Sequence, residues 1–148
     1  MKIETATTAD SKVLSQMLGE VEAYYGGDYV PGDPEQIQAA LFAASPAATV
    51  LIARDDDGEV LGFASYSRLW PAAGADVSVF LKELFVRERH RRRGVGGHLM
   101  DAVQAAAEAV GTRLEWHADA DNPTALAFYE ARGARSHDKV VYRVQVPR

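Results

Sequence analysis

Val77-Ser78-Val79-Phe80-Leu81-Lys82-Glu83-Leu84-Phe85-Val86 leads straight into Arg87-Glu88-Arg89-His90-Arg91-Arg92-Arg93-Gly94-Val95-Gly96-Gly97-His98. The first stretch is rich in Val, Leu and Phe and reads as a strand. Gly94 to Val110 reads as a helix ended by Gly111. Between them Arg87, Arg89, Arg91, Arg92 and Arg93 crowd into seven positions around His90. A helix N-terminus carries unpaired N–H groups and the positive end of the helix dipole, so it attracts phosphate. Gly94, Gly96 and Gly97 remove side chains where a ligand must approach the backbone. The arginines add fixed charge and forked donors. Strand, basic turn and helix start together read as a grip for a phosphate-bearing ligand. A plain solvated loop would not need all three to coincide.

Two common phosphate loops fit this turn badly. A P-loop needs Gly-Lys-Ser or Gly-Lys-Thr, whereas Gly97 is followed by His98-Leu99. A dinucleotide fingerprint needs a third glycine where Leu99 stands and an acidic residue about 20 positions on. Glu115 and Asp119 match that requirement only loosely.

Working outward, Lys2 to Ala6 reads as a first strand. Thr8 reads as the N-cap of a helix whose Val13, Leu14, Met17, Leu18, Val21 and Tyr24 share one face, stopped by Gly26-Gly27. Asp33-Pro34 reads as N-cap and first residue of a second helix with Ile37, Ala40 and Leu41 inward, ended by Ser45-Pro46. Thr49 to Arg54 and Glu59 to Arg68 are strand-like about the hairpin signal Asp55-Asp56-Asp57-Gly58, and Trp70 to Gly74 reads as a loop. Beyond the central helix, Arg113 to His117 reads as a strand. Asn122-Pro123 opens a helix that Gly133 closes, and Val140 to Val146 alternates as a final strand. This order predicts one domain over residues 1–148 of the α/β class, a mixed sheet with helices on both faces.

Composition narrows the function. The 148 residues are 47% hydrophobic and 25% charged, as in an ordinary globular domain. No cysteine is present, which removes disulfides, a thiolate nucleophile and a cysteine zinc site, and the histidines lack metal-ligand spacing. The start, Met1-Lys2-Ile3-Glu4-Thr5, has no apolar signal core, and no apolar run reaches the roughly 18 residues of a membrane span. A cytoplasmic location without membrane attachment is the expectation. A net charge of −5 argues against nucleic acid as partner. A local basic cluster in an acidic chain points to a small anionic ligand.

A second stretch completes the pattern. In Asn122-Pro123-Thr124-Ala125-Leu126-Ala127-Phe128-Tyr129-Glu130-Ala131-Arg132-Gly133, Asn122 can cap the helix, and Ala125 and Tyr129 share a face, the small residue leaving room for a ligand. Arg91-x-x-Gly94-x-Gly96 after Leu84-Phe85-Val86, followed by this Asn, small residue, Tyr and Gly, resembles the GNAT superfamily of N-acetyltransferases. The resemblance runs from Ala6-Thr7-Thr8-Ala9-Asp10 to the final strand. It implies a mostly antiparallel sheet whose fourth and fifth strands splay, with acetyl-CoA as co-substrate in the resulting V. It further implies that backbone groups of Leu84, Phe85 and Val86 pair with the pantetheine arm. By the same resemblance, main-chain N–H groups from Arg92 through Gly94, Val95, Gly96 and Gly97 hold the pyrophosphate, with Arg91, Arg93 and His98 alongside. Asn122, Thr124, Ala125 and Phe128 would then line the arm, and the Tyr129 hydroxyl would lie near the thioester sulfur.

The chemistry asks for two proton-handling groups. Amine attack on a thioester expels a thiolate. A thiol has a pKa of about 8.5 and tyrosine of about 10, so Tyr129 is protonated at neutral pH and can supply the departing sulfur. The incoming alkyl amine, with a pKa of about 10.4, arrives charged and must lose a proton. Glu83 on the central strand is the first candidate to take it or to attract the cation, and it faces opposite to Leu84. His117, His90 and His98 are weaker candidates; His117 can assist at the amine, and the other two read as ligand contacts or surface. Tyr24 and Tyr25, with Asp28 and Tyr29, can line an ammonium pocket. Phe80 to Val86, Glu115-Trp116 and Glu22-Ala23-Tyr24-Tyr25 resemble the spermidine/spermine (diamine) acetyltransferase branch, although Lys82 stands where that branch carries an acidic residue. The expected activity is acetyl transfer in a ternary complex to a polyamine-like, amino-acid-like or antibiotic amine. A protein or peptide amine and a non-catalytic acyl-CoA sensor are the alternatives carried forward, and a homodimer is the assembly the resemblance suggests.

Overall fold

The computed structural model describes residues 1–111 and 113–147. They fall into two units, Met1–His117 and Ala118–Arg148. In the first, β1 (Lys2–Thr5) is followed by a 3-10 turn (Thr8–Asp10), α1 (Ser11–Tyr24) and α2 (Pro34–Leu41). Next come β2 (Thr49–Arg54), β3 (Val60–Leu69), β4 (Ser78–Val86), a second 3-10 turn (Glu88–His90), α3 (Val95–Val110) and β5 (Arg113–Trp116). The second unit holds α4 (Pro123–Ala131). Among the described residues no helix is long and apolar enough to cross a membrane.

The strands lie in the order β1-β2-β3-β4-β5. The first three pairings are antiparallel and β4–β5 is parallel, so the sheet is mixed and mostly antiparallel as expected. The Asp55–Gly58 turn forms where its composition put it. Asp55 Oδ1 accepts from the amides of Asp57 and Glu59 at 3.0 and 2.9 Å, and Gly58 supplies the left-handed residue with φ of 84°. On one sheet face Leu14 and Met17 of α1 and Ile37 of α2 pack with Val50, Ile52, Val60, Phe63 and Phe85. On the other, α3 lies against β2, β3 and β4 and buries Leu99, Met100 and Val103. Between strands β3 and β4 the backbones close tightly at Gly62, where a Cβ would stand 2.3 Å from the Phe85 carbonyl oxygen.

Three expectations fail locally. The first-helix cap is not Thr8. Asp10 accepts from the Thr7 amide at 2.8 Å, which winds Thr8–Asp10 into the 3-10 turn, and α1 starts only at Ser11. Asp10 is buried and also pairs with Arg54, a partner 44 residues away that no local pattern reveals. Ala40 is exposed, because the eight residues of α2 turn only Ile37 fully inward. Finally, no strand forms over Val140–Val146. Val140, Tyr142, Val144 and Val146 are 76, 90, 83 and 79% exposed. A period of two marks a segment able to form a strand, but a strand exists only where another pairs with it.

Lys82 breaks the period of β4. Glu83 pairs with Ser65 and Leu81 with Tyr66, so Lys82 has no partner and forms a β-bulge. The bulge swaps faces. Leu81 and Leu84 come to one side, while Phe80, whose partner is Ser67, joins Glu83 and Phe85 on the other.

Candidate functional site

The open edge of β4 is the structural origin of the site. β4 pairs with β5 only from Ser78↔Arg113 to Leu81↔Trp116, whereas its ladder with β3 continues to Gly62↔Val86. From Lys82 to Val86 its other edge has no strand partner among the described residues. Arg87 donates its amide to Leu61 O at 2.9 Å. Alternate residues of an antiparallel strand direct their amide and carbonyl to the same neighbour, so Phe85 also faces β3, and Leu84 and Val86 face the opening. Phe85, expected beside them in main-chain pairing, turns its backbone to β3 and buries its ring. Arg91 Nε donates to Val86 O at 2.8 Å, which leaves the Leu84 amide and carbonyl and the Val86 amide directed to the opening.

The turn that follows converts strand into helix within a few residues. Arg92 and Gly94 both take left-handed backbone, with φ of 64° and 79°. Glycine adopts this freely, but an arginine is strained there by about 1 kcal/mol or more. Gly94 is the N-cap of α3 and its carbonyl accepts from His98 N–H at 3.1 Å. Among the described residues the amides of Val95, Gly96 and Gly97 meet no backbone acceptor, as expected of a first helical turn. Val95 buries its side chain in the core, Gly96 and Gly97 are half-buried, and Arg92, Arg93, Gly94 and His98 are exposed.

The five arginines do different work. Arg87 forms a two-pronged pair with Glu20 at 3.0 and 2.9 Å. Arg89 pairs with Glu59. Arg91, besides its bond to Val86 O, lays its guanidinium 4.9 Å from the Tyr24 ring centre and 5.5 Å from that of Phe85. Arg93 meets His90 Nδ1 at 2.9 Å. Of the five, Arg92 alone has no hydrogen bond, ion pair or ring contact from its side chain among the described residues. The sequence pattern marked the cluster but could not separate fold-holding arginines from exposed ones, because their carboxylates come from α1 and the β2–β3 turn.

Glu83 is half-buried on the bulged face. Burial pushes its carboxyl pKa above the ordinary 4.5, and the Lys82 ammonium acts in the opposite sense. Lys82 itself is exposed at the bulge. On the same face as Glu83, Phe85 meets Tyr24 with ring centres 6.5 Å apart, and Tyr24 meets Tyr25 edge-on at 5.0 Å. Phe80, also on that face, meets the exposed His117 ring at 5.0 Å. Strand alternation alone could not have placed Phe80 with Glu83, three residues apart; the bulge does.

In the second unit, Asn122 accepts from the Ala125 amide at 3.2 Å, so the expected cap forms, with Pro123 as the first helical residue. Thr124 is exposed, and Ala125, Phe128 and Tyr129 are half-buried. Phe128 and Tyr129 meet edge-on at 5.3 Å, and the Arg132 guanidinium lies 5.8 Å from the Phe128 ring centre.

The profile of the acetyltransferase (GNAT) family matches residues 16–134, a span that includes β4, the basic turn, α3 and α4. The L-ornithine N5-acetyltransferase of Arabidopsis thaliana is 35% identical over 81 residues, 54% of this chain and 36% of that protein. The D-amino-acid N-acetyltransferase of Saccharomyces cerevisiae is 33% identical over 89 residues, 60% of this chain and 55% of that protein. The chain thus spans only part of the length of these relatives. An integron cassette protein from the mobile metagenome of V. cholerae superposes with a TM-score of 0.83 at 30% identity, covering 98% of this chain and 92% of its own. With most of its length matched, and the parted strands and glycine turn inside the match, the chain belongs to the acetyltransferase (GNAT) family.

Proposed function

We propose that the chain transfers an acetyl group from acetyl-CoA to a primary amine of a small molecule, both bound at once. The observation that carries this reading is the open β4 edge running into the first turn of α3. Leu84 and Val86 offer main-chain groups to an extended amide-bearing arm, and the amides of Val95, Gly96 and Gly97 offer donors to a diphosphate. Arg92 and Arg93 add positive charge at the solvent side. The residues present therefore fit acetyl-CoA, and its thioester would supply the activated acyl carbon.

Glu83 takes the amine proton directly or through water; its raised pKa makes it a better base than an ordinary carboxylate. Tyr129 gives its hydroxyl proton to the sulfur as the C–S bond breaks and the C–N bond forms. His117 assists at the amine. The half-exposed Tyr24 and Tyr25 present aromatic faces, and Glu83 a carboxylate, all suited to an ammonium group. Relatives named for L-ornithine and D-amino acids favour an amino-acid-like amine; a polyamine makes the same demands on an aromatic and acidic surface. The exposed apolar stretch Val140–Val146 supports a homodimer in which that stretch gains a partner.

Calorimetry with acetyl-CoA, followed by thiol-detected turnover on ornithine, D-amino acids, spermidine, an aminoglycoside and a peptide, tests the reading. Binding plus CoA release with a small amine is expected. Binding without release on any amine would favour a sensor, release on the peptide alone a protein acetyltransferase, and no binding would end the proposal. Sedimentation should give a dimer; a monomer at micromolar concentration removes that part.

A further inference from the structure

We propose that His90 is a positioning residue: anchored on Glu59 of the β2–β3 turn, it holds Arg93 where the phosphate end of the coenzyme would lie. The inference rests on the acetyl-CoA reading of the turn above. His90 is 5% exposed, in the second 3-10 turn. Its Nδ1 is 2.9 Å from an Arg93 guanidinium nitrogen, and its Nε2 is 3.3 Å from Glu59 Oε1. A guanidinium only donates, so Nδ1 must accept, and the single ring proton of the neutral imidazole sits on Nε2 and points to Glu59. The two partners thus choose one tautomer. Arg89 Nε also donates toward Nε2, but at 3.3 Å; of the two arginine contacts the 2.9 Å one from Arg93 is the shorter and takes the ring's one lone pair, while Arg89 has Glu59 as its own acceptor.

The charges around the ring are the cations Arg87, Arg89 and Arg93 and the carboxylates Asp55 and Glu59. Burial, then Arg89 and Arg93, push the His90 pKa below its ordinary 6.5, with Arg87 adding a smaller push and Asp55 opposing. The ring is therefore neutral at pH 7, the form in which Nδ1 keeps its lone pair. Protonation would set a hydrogen on Nδ1 against the Arg93 donor and add a cation beside three arginines. The arrangement loosens as pH falls below 6.5. Arg93 is exposed next to the Gly94 cap, so its placement by a buried ring preorganises a charge that would otherwise sample many rotamers.

The test uses the full chain and CoA or acetyl-CoA as probe. His90→Leu fills the volume without an acceptor and should weaken CoA binding about 10- to 100-fold. It should raise the KM for acetyl-CoA similarly while kcat at saturation keeps its value. His90→Asn, whose side-chain oxygen can replace Nδ1, should restore affinity. The ratio of wild-type to His90→Asn affinity should fall as pH drops below 6.5, a comparison in which titration of the coenzyme phosphate cancels. Equal CoA affinity in His90→Leu and wild type, or a His90→Asn as weak as His90→Leu with an intact circular-dichroism spectrum, would overturn the inference. Wild-type protein that binds no CoA would instead remove the reading of the turn, and this inference with it.

Discussion

β4 and residues 140–146 have similar sequences and opposite fates. Both are rich in Val and aromatic residues. β4 is hydrogen-bonded to β3 along its length and to β5 over four residues, and it buries Val79, Leu81 and Phe85. The later stretch has no ladder among the described residues and leaves Tyr142 90% exposed. Propensity makes extended backbone cheap in either place. Only the ladder and a covering helix convert it into stability, because a lone strand satisfies none of its amides and buries neither face.

That contrast can be broken by substitution. The largest difference is expected from matched truncations. Leu81→Ala should cost about 2–5 kcal/mol of unfolding free energy in urea, whereas Val144→Ala should stay within about 0.5 kcal/mol. A costly Val144→Ala would mean that the stretch is covered in solution, as the proposed dimer requires, and dilution should then reduce the cost. A smaller effect, about 1–3 kcal/mol, is expected for Gly62→Ala, which must push apart the β3–β4 ladder at the Phe85 carbonyl. Thermal melts showing no loss would mean that the ladder is looser than described.

The smallest effect sharpens the chemistry of β4. Glu83 has its folded pKa raised by burial, so the folded state binds the proton more tightly than the unfolded state. Stability is then lost as pH rises from 4.5 through the folded value, and ionised Glu83 is a cost at pH 7. Glu83→Gln should make the protein slightly more stable at pH 7, and the gain should vanish below pH 4.5. Its turnover should drop and lose the acidic limb of the pH–rate profile. A gain that persists in acid would assign the effect to packing. On the same profile, Tyr129→Phe should slow the chemical step by about 10- to 10⁴-fold with coenzyme affinity retained.

Much of the fold was legible because its signals are short-range. Asp33-Pro34, Asp55 to Gly58, Gly94 and Asn122-Pro123 each cap or turn the chain through contacts within about four residues, so the sequence by itself determined those ends. It likewise determined that a strand meets a helix across a glycine-rich basic turn. Only the tertiary structure decided the rest. The Lys82 bulge exists because β3 pairs around it, and it alone brings Phe80 to the face that Glu83 and Phe85 share. The division among the arginines follows from Glu20, Glu59 and Tyr24, which lie far off in sequence. Strand pairing, side-chain facing and charge pairing are properties of two segments at once, and a pattern read along one segment does not contain them.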